Sequence, residues 1–107
     1  MLRTKITDLF GVSYPIMSAP MTNHSGGRLA AGVFLAGGLG SFGSINPAGP
    51  DWVREHVRYI LSQTDKLFAV GFLPQFIPDS LQIFEVALEE RVPVIAFSFV
   101  YPQPWLT

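Results

Sequence analysis

The sequence predicts an α/β fold made of consecutive βα units, in the order β-α-β-α-β-α-β. Three observations carry this. Strand-like runs begin near residues 15, 38, 68 and 93, and stretches of helical period separate them. Their spacing of roughly 25 to 30 residues is that of right-handed βαβ units, and a (β/α)8 barrel of about 250 residues divides into repeats of that size. Residues 68–73 are apolar on both faces, as buried parallel strands are. Four strands amount to half of a TIM barrel. A small doubly wound parallel sheet fits the same periodicity, and both architectures stand at this point.

Residues 14–20 read as a strand that stops at Pro20, which has no N–H for a central ladder. A helix fits from Ser25: its hydroxyl can cap the first amides, Leu29, Ala30 and Val33 recur on one face, and Gly37 supplies a left-handed stop. A short strand centred on Leu39 to Phe42 follows at once. In the next helix Pro50 suits the first turn and Asp51 favours the positive end of the dipole, while Trp52, Val53, His56, Val57, Ile60 and Leu61 form one face. After the strand at 68–73, a third helix starts near Pro78 or Asp79 and carries Leu81, Phe84, Ala87 and Leu88 inward. Residues 92–99 make the fourth strand.

The 107 residues carry seven Lys or Arg against eight Asp or Glu. This length excludes two independent domains, and the scattered charge leaves no basic stripe for nucleic acid. Charged residues are 14% of the chain, against about 25% in ordinary soluble domains. The apolar faces therefore expect neighbours. A membrane span does not supply them, because Pro, Gly or charge interrupts every apolar run short of the roughly 20 residues required. Residues 1–8 do not read as a signal peptide, and the absence of Cys excludes a disulfide frame, a thiol nucleophile and a zinc knuckle. A cytoplasmic setting is expected.

Gly38-x-Gly40-x-x-Gly43 has the letters of a dinucleotide-binding fingerprint but the wrong context. That motif follows a strand and opens a helix, whereas here a helix precedes it and the glycines form the stop and the strand. Close helix-to-strand packing is the better reading. His24 and His56 lack metal-ligand spacing; His56 is expected to pack on an apolar helix face, and His24 in a loop at the carboxyl end of the first strand. Ser25, Ser41, Ser44 and Ser98 fit no nucleophile-elbow pattern.

Several blocks recur in a familiar order: Thr7-Asp8-Leu9-Phe10-Gly11-Val12-x-Tyr14-Pro15-Ile16, Ser18-Ala19-Pro20-Met21, Ala36-Gly37-Gly38-Leu39-Gly40-Ser41, Phe68-Ala69-Val70-Gly71-Phe72-Leu73 and Ala87-Leu88-Glu89-Glu90-Arg91-Val92-Pro93-Val94-Ile95. Together they resemble the nitronate monooxygenase family, formerly called 2-nitropropane dioxygenases, over its N-terminal portion. The resemblance implies an FMN-dependent barrel that oxidises alkyl nitronates with O2, with residues 2–99 forming the N-terminal half of that (β/α)8 barrel. Residues 100–107 match nothing in the family.

By the same resemblance the turn Ala19, Pro20, Met21 lies along the flavin ring. A Pro-stiffened turn of small residues lets backbone approach a flat aromatic system, and Met offers a polarizable surface. Gly71 stands where bacterial members place a flavin-contacting Asn, so only backbone groups are available there. The family's catalytic His and its phosphate-binding loops belong to later segments, so no catalytic residue is carried over. Two other readings remain: a truncated, catalytically silent fragment, and a half-barrel interaction module. Either half-barrel would leave open sheet edges, through which self-association is expected.

Overall fold

The computed structural model describes residues 2–21, 24–46, 48–64 and 67–99. The expected unmatched tail at 100–107 lies outside them. The chain opens with a helix that the sequence reading did not anticipate, α1 (Lys5–Phe10). Thr4 and Thr7 cap its start reciprocally: the Thr4 hydroxyl accepts the Thr7 N–H at 3.2 Å and the Thr7 hydroxyl accepts the Thr4 N–H at 2.8 Å. Gly11, at φ 66°, ends it.

There follow α2 (Gly27–Leu35), β1 (Ser41–Gly43), α3 (Pro50–Gln63), β2 (Ala69–Phe72), a 3-10 segment (Pro74–Ser80), α4 (Leu81–Glu89) and β3 (Val94–Phe97). The three strands form one parallel sheet in the order β1-β2-β3, with Phe42 beside Val70 and Val70 beside Ile95.

The strand expected at 14–20 is reduced to an isolated parallel bridge between Met17 and Leu39. Leu39 donates its N–H to the Ile16 carbonyl at 2.8 Å, and Ser18 donates to the Leu39 carbonyl at 3.0 Å. Beyond this point side chains take over from the ladder. The Ser41 N–H donates to Ser18 Oγ at 2.9 Å, and the Ser41 hydroxyl donates to the Ser18 carbonyl. Pro15 and Pro20 have no amide with which to extend the pairing.

The spatial order is thus residues 16–18, β1, β2, β3, without the reversal that defines a doubly wound sheet. Helices α2, α3 and α4 pack side by side in sequence. This is the arrangement of part of a (β/α)8 barrel.

Alternation along the strands divides large residues from small. Phe42 meets Trp52 edge-on at 5.8 Å and Phe72 meets Phe84 at 5.2 Å, so this face of the sheet looks toward the helices. Val53, Val57 and Ile60 of α3 are fully buried against it. The other face carries Ser41, Gly43, Ala69, Gly71, Val94 and Ala96. Gly40 is needed for the close approach of α2, because a Cβ there would lie 1.9 Å from the Ala30 carbonyl oxygen. The glycine run therefore serves helix packing.

Four residues expected on apolar helix faces are instead exposed, Leu29 and Leu81 at 43%, Leu61 at 49% and Leu88 at 57%. In α4 the inward positions are Ile83, Phe84, Val86 and Ala87. Phe84 and Ala87 are inward as expected, and the preceding 3-10 turns delay the start of α4 to Leu81. Ser25 is not the cap of α2 either; Gly26 holds that position without a side-chain bond.

Candidate functional site at the carboxyl ends of the strands

A cavity of about 110 Å³ opens where the strands end. It is lined by Pro20, by Gly43 to Ile45 at the end of β1, by Gly71 to Leu73 at the end of β2, and by Ser98 and Phe99 after β3. Parallel pairing aligns these ends: Ser44 donates its N–H to the Gly71 carbonyl at 3.0 Å, and Ser98 donates to the Phe72 carbonyl at 3.1 Å.

Pro20 and Gly71, both expected at the site, are brought into contact. A Cβ on residue 71 would fall 2.4 Å from Pro20 Cβ and 2.7 Å from Pro20 Cγ, so the proline ring rests on the bare backbone of β2. Ala19 and Met21 flank Pro20 but are exposed and do not line the cavity. The turn is held from behind by Ser25, 3% exposed, whose Oγ accepts the Met21 N–H at 2.8 Å and the Gly43 N–H at 3.2 Å.

Ser44 contributes backbone to this lining, while its hydroxyl is buried away from the opening. The residue is 1% exposed, and its Oγ has no hydrogen bond. No titratable side chain lines the cavity among the described residues, and none of their His, Asp and Glu side chains cluster as a metal site. This wall can bind and orient a ligand but has no group to move a proton.

His24 is exposed, with its N–H donated to the Met21 carbonyl at 2.9 Å. His56 packs on the helix side as expected, its ring 4.0 Å from Trp52. Burial lowers its pKa against the opposing pull of Glu55. Sequence reasoning passed over Ser44, Ile45, Leu73 and Ser98 as site residues. Their signal is positional: each comes within a residue or two of the end of an apolar run, where barrel enzymes gather their ligand contacts.

No model of a known protein family matches the chain. Among curated proteins, a nitronate monooxygenase of Paraburkholderia phytofirmans is 42% identical over 63 residues, 59% of this chain and 17% of the relative. An indene-carboxyl-CoA dehydrogenase of Rhodococcus jostii is 30% identical over 102 residues, 95% of this chain and 28% of the relative. Among solved structures, FabK from Thermotoga maritima superposes with a TM-score of 0.82 at 36% identity, covering 95% of this chain and 32% of that one. A nitroalkane oxidase from Streptomyces ansochromogenes gives 0.69 at 25% identity over 90% of this chain and 36% of that one. The chain spans between 17% and 28% of the length of the curated relatives it matches. Over that span it resembles the nitronate monooxygenases, and its fold is that of a portion of a (β/α)8 barrel.

Proposed function

We propose that this chain supplies one wall of an FMN site in an oxidoreductase of the nitronate monooxygenase type, acting on alkyl nitronates with O2. The observation that carries the reading is the cavity at the strand ends, where the bare backbones of Gly43 and Gly71 and the Pro20 ring leave a flat surface open to a ligand.

The residues present fit one side of a flat ring system. Gly43, Gly71 and the Pro20 ring offer a low, largely apolar surface. Ala19, Pro20, Met21 and Gly71 are the residues proposed to hold it. FMN, when bound, supplies the redox chemistry, accepting electrons from the nitronate and passing them to O2. The chain's own residues position it: Ser25 fixes the turn at 19–21, and the aligned ends of β1 and β2 fix Ser44 and Gly71. Proton transfer is not assigned to this wall. The phosphate also finds no cradle here, since the first amide of α2 is already taken by His56.

The dehydrogenase match over 95% of the chain favours a second reading, in which the same wall serves oxidation of a different substrate. Both readings share the ring-side surface.

Amide NMR spectra recorded during titration with riboflavin and with FMN test this surface. We expect weak binding, shifts centred on Gly43, Ser44, Gly71, Leu73 and Ser98, similar affinity for the two ligands, and purified protein without colour. Shifts confined to other residues would remove the site. A yellow preparation holding stoichiometric FMN would overturn the argument that the phosphate is not held here.

A further inference from the structure

His56 lies on α3, on the helix side of β1, yet its bonds lead to the cavity. Its Nδ1 accepts the N–H of Gly27, the first residue of α2, at 2.6 Å. An accepting Nδ1 is unprotonated, so the ring is the neutral tautomer with its proton on Nε2. Gly26, the cap position of α2, offers no side chain to bond the first amides, and His56 does from another helix what a Ser or Asp would do locally.

The packing around this bond has little slack. The imidazole lies 4.0 Å from the Trp52 ring at an interplanar angle of 32° and 6.0 Å from the Phe42 ring. A Cβ on Gly26 would sit 2.8 Å from His56 Cε1, and one on Gly27 would sit 2.8 Å from the His56 carbonyl oxygen. One residue before Gly26, Ser25 Oγ accepts amides from the turn, at Met21, and from the end of β1, at Gly43. Residues 25–27 thus join the imidazole to the cavity wall.

We propose that His56 is a positioning residue: its neutral ring holds the start of α2 and, through Ser25, keeps the turn at residues 19–21 on the carboxyl end of β1, and its protonation releases that turn. This holds whichever cofactor the cavity takes.

Protonation removes the acceptor and sets a positive charge at the positive end of the α2 dipole. Of the charged groups on the surrounding elements, Glu55 beside it on α3 favours the charged ring. Arg28 on α2 is drawn over the Tyr59 ring, 5.7 Å from its centroid, His24 lies in the loop before α2, and β1 contributes no charge. Burial outweighs Glu55 and lowers the pKa below its ordinary value of 6.5. The unfolded or released state therefore binds the proton first as the pH falls. The turn is held above about pH 6.5 and is lost progressively between that value and the lower pKa of the folded state.

Hydrogen exchange measured from pH 8 to pH 5, with the intrinsic rate divided out, tests this on the chain as it stands. The amides of Met21, Gly27 and Gly43 should lose protection together, and progressively, as the pH falls below about 6.5. The α4 amides should not follow. His56→Asn, which puts an amide oxygen where Nδ1 was and does not titrate, should keep the protection and abolish its pH dependence. His56→Phe, which retains an aromatic ring, should lose it at every pH. Protection of Met21 and Gly43 that stays flat while Gly27 responds would overturn the proposal, and so would an unaltered pH profile in His56→Asn. If His56→Phe does not fold, the titration of the unsubstituted chain and the Asn variant decide the matter.

Discussion

Gly71 and Pro20 meet across the mouth of the sheet, and neither residue can be exchanged without consequence for the other. Any Cβ at position 71 would overlap the Pro20 ring at 2.4 Å. Glycine at this site is therefore required by the turn. Gly71→Ala is expected to push Pro20 off the sheet and cost about 1 to 3 kcal/mol in urea unfolding. The same substitution in a Pro20→Gly background should cost measurably less, because the two sites share one contact. Equal costs in the two backgrounds would show that the ring does not rest on β2. Among the aromatic residues, Phe42 is fully buried while Trp52 is half-buried. Phe42→Ala should cost about 3 to 5 kcal/mol, and Trp52→Ala clearly less.

The middle of α3 is clamped to the C-terminal end of α4 by an ion-pair cluster. Glu90, 14% exposed, receives Arg54 at 2.7 Å and Arg58 at 2.9 Å, and Arg54 also reaches Glu89 at 2.8 Å. Burial opposes the charge on Glu90, but hydrogen bonds from Arg54 and then Arg58 outweigh it and lower its pKa. A depressed carboxyl pKa contributes stability above its unfolded value, about 4.5, and the contribution is lost as the pH falls through the folded value. Glu90→Gln should flatten the acid limb of a stability profile below about pH 4.5, and an unchanged acid limb would show that the cluster contributes nothing. Not every element was equally legible. The span of α3 follows from Pro50, Asp51 and a long apolar stripe, and β2 from an uninterrupted apolar run, because local pattern and tertiary setting agree there. The segment at 14–20 misled because its pairing is completed by two serine side chains, which no periodicity reports. On α4 Phe84 and Ala87 lie inward as expected, while Leu81 and Leu88 at its two ends are exposed and Ile83 and Val86 take their place. Ser25 resembled a helix cap and instead bonds the amide of Met21, four residues back, and that of Gly43 on β1, a contact that only the folded chain brings together.

At the scale of the whole molecule, the governing fact is a sheet with one wall finished and one open. The helix-facing side is closed by α2, α3 and α4, while all four residues of β3 are only half-buried. Among the described residues β3 pairs with β2 alone, so its outer edge presents unpaired amides and carbonyls. On the far side of the sheet, residues 16–18 make a single bridge, and Ile16 is 64% exposed with Met17 at 44%. A closed barrel has no such edges, and β-sheet edges of this kind are templates for pairing with another chain. The sequence offers little to block it: charged residues are 14% of the chain, and β3 carries none. The 107-residue chain on its own is therefore expected to self-associate through the β3 edge and the 16–18 edge. Two copies related by a two-fold axis along the barrel direction would set the β3 edge of each beside the first segment of the other and close both pairs at once. Sedimentation velocity across a concentration series should show mass rising with concentration. Replacing Ile95 by Pro removes an amide from β3 and should shift the distribution toward monomer, provided that circular dichroism shows the helices intact. A soluble monomer at every concentration, unfolding cooperatively, would mean that the open edge is covered from within the chain, and the two-copy arrangement would have to be abandoned.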